Sequence, residues 1–197
     1  MKKIVVMASG EGSNFSAIVN SGIKVDRVIT DNSTANVIKR AEDVKVPVII
    51  IDKSLEYHGM RRANEIRGGQ ENSSVMFEDK ILKAIPKDTD LIVLAGYGRI
   101  LTSYFCGEWK DKIINIHPSL LPAFKGSTNA IEEAHNYGCK VFGVTVHWVT
   151  EEVDVGAIID QRAMHLGDKP LEEVKEMIHT YIEHIMYPQT IKKLMKI

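Results

Sequence analysis

An amide and an imidazole lie two residues apart in the stretch INIHPSLLP, residues 114–122. Asn115 and His117 end an apolar run typical of a strand, so their side chains are expected on the same face of a sheet. The carboxyl ends of strands are where α/β sheets bind ligands. A second stretch, TEEVDVGAI, offers Asp154 in an acidic loop, where Gly156 permits an unusual backbone angle. Only the tertiary fold can bring Asp154 to His117.

These three residue types suit the transfer of an acyl group to an amine. Attack of a neutral amine on an acyl carbon gives a tetrahedral species with a negative oxygen. The Asn115 amide and a protonated His117 would stabilise that oxygen, and such a donor contributes about 10²–10³ in rate. Asp154 would hold the imidazole and accept the proton of the amine. The alternatives are a core histidine bonded to a carbonyl for His117 and a solvated charge for Asp154.

The turn SGEGSN, residues 9–14, follows a strand-like run and precedes a helix-like run. Gly10 and Gly12 match the first two glycines of the dinucleotide fingerprint GxGxxG, but Phe15 holds the third position. Asp31 lies about 20 residues on, where a ribose-binding acid would sit. The phosphate-loop pattern GxxxxGK[ST] is absent from the sequence. The match to a nicotinamide-cofactor site is therefore partial.

The same turn also fits a site for a single phosphate group. The free N–H groups and the positive dipole at a helix N-terminus favour an anion. Gly12 would let the backbone approach closely, and Ser13 and Asn14 would add side-chain donors. The alternative is that Ser13 or Asn14 only caps the helix.

Short apolar runs alternate with helix-period stretches over most of the chain, which predicts a parallel sheet built from βαβ units. The runs are IVVMA, VDRVIT, VPVIII, DLIVLAG, KIINIH, VFGVTVHWV and GAIIDQ. We predict one α/β domain over residues 1–197, with a doubly wound, Rossmann-like, mostly parallel sheet and helices on both faces. The last two strands form an antiparallel pair. A C-terminal helix is interrupted near Pro188, and residues 67–74 form a surface loop.

Composition limits the classes of function. The net charge of −1 does not favour nucleic acid or an anionic membrane as a partner. The two cysteines form no CxxC pair, which suits the reducing cytoplasm. No run approaches the ~20 apolar residues of a membrane span. No metal site is expected, because HExxH is absent and His179 and His184 are predicted to flank the core.

Several stretches together resemble the phosphoribosylglycinamide formyltransferases of purine biosynthesis, within the folate-dependent formyltransferases. They are SGEGSN, VLAGYGRIL, NIHPSLLPAFKG, GVTVHWVTEEVDVGAII and EHIMYP, and they span nearly the whole chain. HPSLLP marks the wider group of folate-dependent enzymes. The combination with GEGSN, VHWVTEEVDVG and EHIMYP is typical of the glycinamide branch.

The resemblance implies a role for each candidate residue. The catalytic residues would be Asn115, His117 and Asp154. The phosphate site would be Gly12, Ser13 and Asn14, and the carboxylate for the ribose and amine end of the substrate would be Glu183. The folate pocket would be lined by Arg99, Ile100 and Leu101, with His147 in a supporting role. The sequence departs from the family pattern at Gly98, Thr180 and Ser74.

The function implied is direct transfer of the formyl group of 10-formyltetrahydrofolate to the amine of glycinamide ribonucleotide. Residues 1–100 would hold the ribonucleotide, and residues 101–197 would hold folate and the catalytic groups. The resemblance implies a cytoplasmic monomer or weak homodimer that uses no metal. The alternatives are an amino-sugar-nucleotide formyltransferase, an NAD(P)-dependent oxidoreductase and a non-catalytic sensor of a phosphate ligand.

Overall fold

Seven strands form a single sheet in the computed structural model, which describes residues 2–52 and 69–197. The strands are β1 (Ile4–Met7), β2 (Arg27–Thr30), β3 (Val48–Ile50), β4 (Leu91–Leu94), β5 (Ile113–His117), β6 (Val141–Trp148) and β7 (Ile158–His165). Their order in the sheet is β3-β2-β1-β4-β5-β6-β7. The sheet therefore grows from β1 through β2 to β3 on one side, and from β4 to β7 on the other side of β1.

The first five strands in sequence are parallel, whereas β6 runs antiparallel to both β5 and β7. A doubly wound sheet leaves a crevice at the carboxyl ends of the strands where the order reverses. That point lies between β1 and β4. The predicted fold class is confirmed, including the late antiparallel pair.

Helices cover both faces of the sheet. They are α1 (Ser13–Asn20), α2 (Val37–Asp43), α3 (Gly69–Ala84), α4 (Ser103–Glu108), α5 (Ala130–Tyr137), α6 (Leu171–Met177), a π-helical turn (Ile178–Glu183) and α7 (His184–Met195). Alternate residues of β1 enter two different cores, as the period of a strand requires. Ile4 and Val6 pack in the core that contains Phe15, and Val5 and Met7 pack in the core that contains Phe77.

The C-terminal helical segment differs from the prediction in where it is interrupted. Pro188 lies inside α7, and the irregular turn lies before it, over Ile178–Glu183. Proline lacks an N–H and crowds the preceding turn, and a wider turn before it relieves both effects. The extra residue per turn shifts the buried face. A regular helix would place Tyr181 and Ile185 on the same apolar stripe as Val174 and Ile178, but they are 56% and 43% exposed.

Tyr187 ties this segment to the centre of the sheet. Its side chain is fully buried, and its hydroxyl donates to the carbonyl oxygens of Leu94 at 2.8 Å and Ile114 at 3.3 Å. One phenol therefore joins α7 to β4 and β5. These are two of the strands whose ends carry the candidate site.

The predicted surface loop over residues 67–74 is wrong for the part that the structure describes. Residues 69–74 belong to α3, which begins at Gly69, and residues 67 and 68 lie outside the described residues. A run of polar residues can continue a helix when its other end packs apolar side chains. Here the second half of α3 buries Phe77 and Ile81, and Ile85, the residue after the helix, is also buried.

Among the helices of residues 2–52 and 69–197, none combines the length and the apolar character needed to cross a bilayer.

Candidate active site

A cavity of about 830 Å³ opens at the carboxyl ends of β1, β4 and β5. This volume is typical of sites for small molecules. Every residue to which the family resemblance assigns a role lines it: Gly12, Ser13, Asn14, Arg99, Ile100, Leu101, Asn115, His117, His147, Asp154 and Glu183. The fold therefore brings together residues from five separate stretches of the chain.

His117 and Asp154 form an ionisable pair near the end of β5. Nδ1 of His117 lies 3.4 Å from Oδ2 of Asp154, and their side chains are 6% and 8% exposed. The other ring nitrogen of His117, Nε2, lies 3.2 Å from the carbonyl oxygen of Phe124. The amide of Gly126 donates to Asp154 Oδ2 at 2.9 Å. The imidazole is thus oriented from both sides.

The catalytic trio predicted from the sequence is Asn115, His117 and Asp154. His147 lies between Asn115 and Asp154 and contacts both. Its Nε2 lies 3.3 Å from Nδ2 of Asn115 and 3.4 Å from Oδ1 of Asp154. The carbonyl oxygen of Trp148 accepts a hydrogen bond from His147 Nδ1 at 2.9 Å. The antiparallel register explains the contact with Asn115, because Asn115 of β5 lies opposite His147 of β6. The sequence predicted only a supporting place for His147 and not this bridge.

The surroundings of Asp154 keep its carboxyl ionised. Burial raises the pKa of Asp154, but this is outweighed by hydrogen bonds from His147 and from the Gly126 amide, and by the charge of His117. The pKa is therefore lowered from its ordinary value of 3.8. A carboxylate held in this way is a stable negative charge beside two imidazoles.

At the other end of the cavity, the turn before α1 presents free backbone donors. Gly12 has φ of 71°, in the left-handed region, and no side chain caps the helix. The interpretation of Ser13 or Asn14 as a simple cap is therefore wrong. A Cβ at Gly12 would lie 2.8 Å from Cβ of Val37, so close packing of α2 also requires glycine there.

Asn14 is directed instead toward the C-terminal segment. Its Nδ2 donates to Oε2 of Glu183 at 2.8 Å, and Glu183 is only 4% exposed. His179 Nδ1 lies 3.0 Å from the same oxygen. Oδ1 of Asn14 and Nε2 of His184 are buried without a hydrogen-bond partner among the described residues. Buried polar atoms of this kind usually have a partner, which a water molecule or a substrate group can supply.

The segment after β4 forms a third part of the wall. The Arg99 guanidinium lies 3.9 Å from the centre of the Phe77 ring, Ile100 is 73% exposed and Leu101 is buried. The following residue, Thr102, donates its backbone N–H to Glu78 Oε1 at 2.7 Å. Helix α3 therefore fixes this segment at two points, which the sequence did not predict.

Asp31, the candidate ribose acid of a dinucleotide site, does not line the cavity. It is 5% exposed and accepts a hydrogen bond from the Ser9 hydroxyl at 2.5 Å. The Ser9 oxygen in turn accepts from the amide of Gly98 at 2.7 Å. Asp31 is occupied in joining β1 to the segment after β4, so the arrangement does not favour a nicotinamide site.

Some cavity residues were not predicted as functional. Arg40, His179, Thr180 and His184 all line the cavity, although His179 and His184 were expected beside the core. The signal for His179 was its position four residues before Glu183, which places both on one helical face. Over residues 2–52 and 69–197, no cluster of three or more His, Cys, Asp or Glu side chains is placed to hold a metal ion.

The chain is similar to known proteins along almost its whole length. It is 38% identical to phosphoribosylglycinamide formyltransferase of Bacillus subtilis, over 99% of this chain and 95% of that protein. It is 37% identical to the human trifunctional purine biosynthetic protein adenosine-3, over 96% of this chain but only 18% of that protein.

Solved structures give the same result. Phosphoribosylglycinamide formyltransferase from Bacillus halodurans aligns with a TM-score of 0.84 at 34% identity, over 98% of this chain and 95% of that one. The enzyme of that name from Streptococcus pneumoniae aligns with a TM-score of 0.80 at 33% identity, over 99% of each chain. Residues 2–191 match the formyl transferase family. With the cavity and its residues in place, these matches show that the chain belongs to the formyl transferase family.

Proposed function

We propose that this protein transfers the formyl group of 10-formyltetrahydrofolate to the primary amine of glycinamide ribonucleotide, in purine biosynthesis. The observation that carries the proposal is the contact of His117 with Asp154 in a cavity that Asn115 also lines. The relatives that cover nearly the same length are named for this reaction. The contacts of these three residues support the chemistry, and the names of the relatives support the choice of amine.

The proposed chemistry uses the trio as two donors and one acceptor. The attacking amine forms a bond to the formyl carbon, and the carbonyl electron pair moves to oxygen. Nε2–H of protonated His117 exchanges its contact with the Phe124 carbonyl oxygen for that oxygen, and the Asn115 amide donates a second hydrogen bond to it. Asp154, whose lowered pKa keeps it ionised, accepts the amine proton directly or through water. Collapse of the tetrahedral species re-forms the carbonyl and breaks the bond to the folate nitrogen. That nitrogen receives the proton that Asp154 took from the amine, and tetrahydrofolate leaves.

Direct transfer fits the cysteines of the chain. Neither Cys106 nor Cys139 lines the cavity. Burial raises the pKa of the Cys106 thiol to about 11, so it is protonated at neutral pH and a poor nucleophile. We expect sequential kinetics, with both substrates bound before transfer.

Each end of the substrates has a proposed binding region. The phosphate would bind the open amides of Gly12, Ser13 and Asn14, and Glu183 would accept hydrogen bonds from the ribose hydroxyls. Arg99, Ile100 and Leu101 would line the folate pocket. In this division residues 1–100 hold mainly the ribonucleotide, and residues 101–197 hold folate and the catalytic trio. Glu183 is an exception to this division, because it lies in the second part of the chain but accepts a hydrogen bond from Asn14 in the first.

The location and assembly state belong to the same proposal. A cytoplasmic enzyme accords with two free cysteines, and a monomer or weak homodimer remains the prediction. Metal-independent catalysis also remains a prediction.

The direct test is an assay with 10-formyltetrahydrofolate and a panel of amines, which follows release of tetrahydrofolate. The panel should contain glycinamide ribonucleotide, its phosphate-free riboside and an amino-sugar nucleotide. Turnover with glycinamide ribonucleotide alone supports the proposal. Turnover with the amino-sugar nucleotide alone would mean that the same chemistry acts on another acceptor. Binding of NAD(P) without any formyl transfer would favour the oxidoreductase.

A further inference from the structure

The wall of the cavity near α1 is poor in fixed positive charge. The described residues that line the whole cavity include six carboxylates, two arginines and four histidines. Arg99 lies on Phe77, and Arg40 donates from Nε to the carbonyl oxygen of Glu11 at 2.6 Å. A hydrogen bond to a neutral carbonyl leaves the charge of Arg40 in place, so Arg40 provides one cation beside the turn. A second cation to offset the carboxylates can come, among these residues, only from a histidine.

His179 is placed to supply that charge. It lies four residues before Glu183 in the π-helical turn, and both side chains line the cavity. Nδ1 of His179 lies 3.0 Å from Glu183 Oε2, and a carboxylate oxygen can only accept, so Nδ1 donates. The side chain is 46% exposed, whereas that of Glu183 is 5% exposed. The remaining polar atom of the ring, Nε2, is left for a ligand.

The same carboxylate connects His179 to the phosphate turn. Asn14 Nδ2 and His179 Nδ1 both donate to Oε2 of Glu183, which leaves Oε1 for a substrate hydroxyl. Asn14 is 8% exposed, and its Oδ1 is buried without a hydrogen-bond partner among the described residues. The cluster therefore contains one buried acceptor without a partner among the described residues, next to the amides that begin α1.

We propose that His179 binds the phosphorylated ribose of the substrate, with Nδ1–H holding Glu183 and a protonated Nε2–H donating to the phosphate monoester. This inference deepens the function proposed above and rests on it for the identity of the ribonucleotide. It assigns to His179 both a positioning role toward Glu183 and a direct contact with the anion.

The charge state of His179 supports this role. The hydrogen bond to Glu183 raises the pKa of His179, against the opposing effects of burial and of the charge of Lys175. His184, the neighbouring imidazole, has its pKa lowered, chiefly by burial and also by the charges of His179 and Arg40. Glu176 is the other ionisable group of this helical segment that lines the cavity. His179 is therefore the more readily protonated member of the pair.

Two substitutions separate the roles of the two ring nitrogens. His179→Asn places an amide N–H near the Nδ1 position and retains the hydrogen bond to Glu183 without a charge. His179→Gln places its N–H near the Nε2 position and retains a neutral donor to the phosphate. A charge-assisted hydrogen bond contributes enough for about a tenfold change in affinity. We expect His179→Asn to raise KM for glycinamide ribonucleotide about tenfold at pH 7, with kcat within about twofold, and His179→Gln to raise KM less.

The pH dependence of KM shows whether the cationic form of His179 is the one that binds the ribonucleotide. In the wild type, KM for the ribonucleotide should rise as pH increases through the pKa of His179, because the cationic form is lost. In His179→Asn, KM should not show this rise. His165→Asn is the matched control, because His165 is exposed on β7 and does not line the cavity. It should leave both KM and its pH profile unchanged.

A titration of the wild-type protein tests the contact without any variant and without catalysis. The ring proton signals of the seven histidines are followed by NMR, and the His179 signal is assigned by its loss in His179→Asn. Ribose 5-phosphate should raise the pKa of His179 further, and ribose should not. An unchanged His179 titration at saturating ribose 5-phosphate, together with an unchanged KM in His179→Asn, would overturn the inference. If ribose 5-phosphate shifts His179 but glycinamide ribonucleotide is not formylated, the proposed function fails and this inference stands.

Discussion

His117 and Asp154 are held 3.4 Å apart by a loop whose backbone is specialised at two residues. Asp154 has φ of 56°, in the left-handed region that non-glycine residues seldom adopt. Two residues on, a Cβ at Gly156 would collide with the carbonyl of Trp148. Glycine at this position therefore allows the loop to pass close to the carbonyl of Trp148. The unusual backbone angle, which the sequence predicted at Gly156, is found at Asp154 instead. Backbone strain in a loop that lines the cavity agrees with a functional role for this carboxylate.

His117→Ala should lower turnover by about 10²–10⁴, the usual loss when a general acid or charged donor is removed. The strand should keep its structure, because the backbone of β5 is paired with β4 and β6. The measurement is kcat for tetrahydrofolate release under saturating substrates. His165→Ala, outside the cavity, should keep wild-type turnover. A His117→Ala enzyme with more than half of the normal turnover would show that His117 is only a core residue.

Gly12→Ala should both destabilise the protein and weaken ribonucleotide binding. Alanine at φ of 71° is strained, and its Cβ would lie 2.8 Å from Cβ of Val37. Strain and overpacking together predict a loss of about 2–4 kcal/mol in the free energy of unfolding. Urea denaturation measures it. Gly10→Ala is the matched variant, because a Cβ there meets nothing within 4 Å; its stability should stay within about 0.5 kcal/mol. Equal stability of the two variants would contradict this account of the turn.

Tyr187→Phe should cost about 1 kcal/mol of unfolding free energy, because it removes the hydroxyl that donates to the carbonyls of Leu94 and Ile114. Thermal or urea unfolding detects a loss of this size. Tyr137→Phe removes the same atom from a side chain that is 84% exposed and should have no measurable effect. If both variants unfold alike, the buried phenol does not tie α7 to the sheet.

The stability of the protein should reveal the ionised state of Asp154. Its pKa is lowered below 3.8 in the folded protein, so its ionised form stabilises the fold above pH 3.8. That contribution is lost as pH falls through the folded value. The difference in unfolding free energy between the wild type and Asp154→Asn should shrink as pH falls below 3.8. A difference that grows on acidification would mean that burial prevails and that the pKa is raised.

The sheet could be predicted from the sequence because its strands are short, apolar and separated by helix-period stretches. All seven runs that were read as strands contain strands of the sheet. The contacts of the trio could not be predicted in the same way. Asn115 and His117 share a face through local periodicity, but Asp154 reaches them only through a loop conformation that no spacing encodes. Residues 114–117 therefore indicated the site, and the fold completed it.

The C-terminal segment shows the limit of periodicity more clearly. A regular helix places Tyr181 and Ile185 on the buried stripe, and the π-helical turn moves them out and brings His179 and Glu183 to the cavity. A single extra residue in a turn changes every later position, and the sequence shows only the proline that follows it. Helix irregularities of this type are often found at functional sites, which agrees with the place of His179.

The most direct test of the central claim is the effect of Asp154→Asn on turnover and on binding, measured separately. Asparagine keeps the volume and tolerates the left-handed backbone, so the fold and the cavity should be preserved. Asp168→Asn, an exposed aspartate paired with Lys140, is the control. The account predicts that kcat falls by about 10²–10⁴ while the Kd values of glycinamide ribonucleotide and the folate change by less than about threefold. Nearly normal turnover in Asp154→Asn would contradict it, because the carboxylate would then be only a charge of the loop.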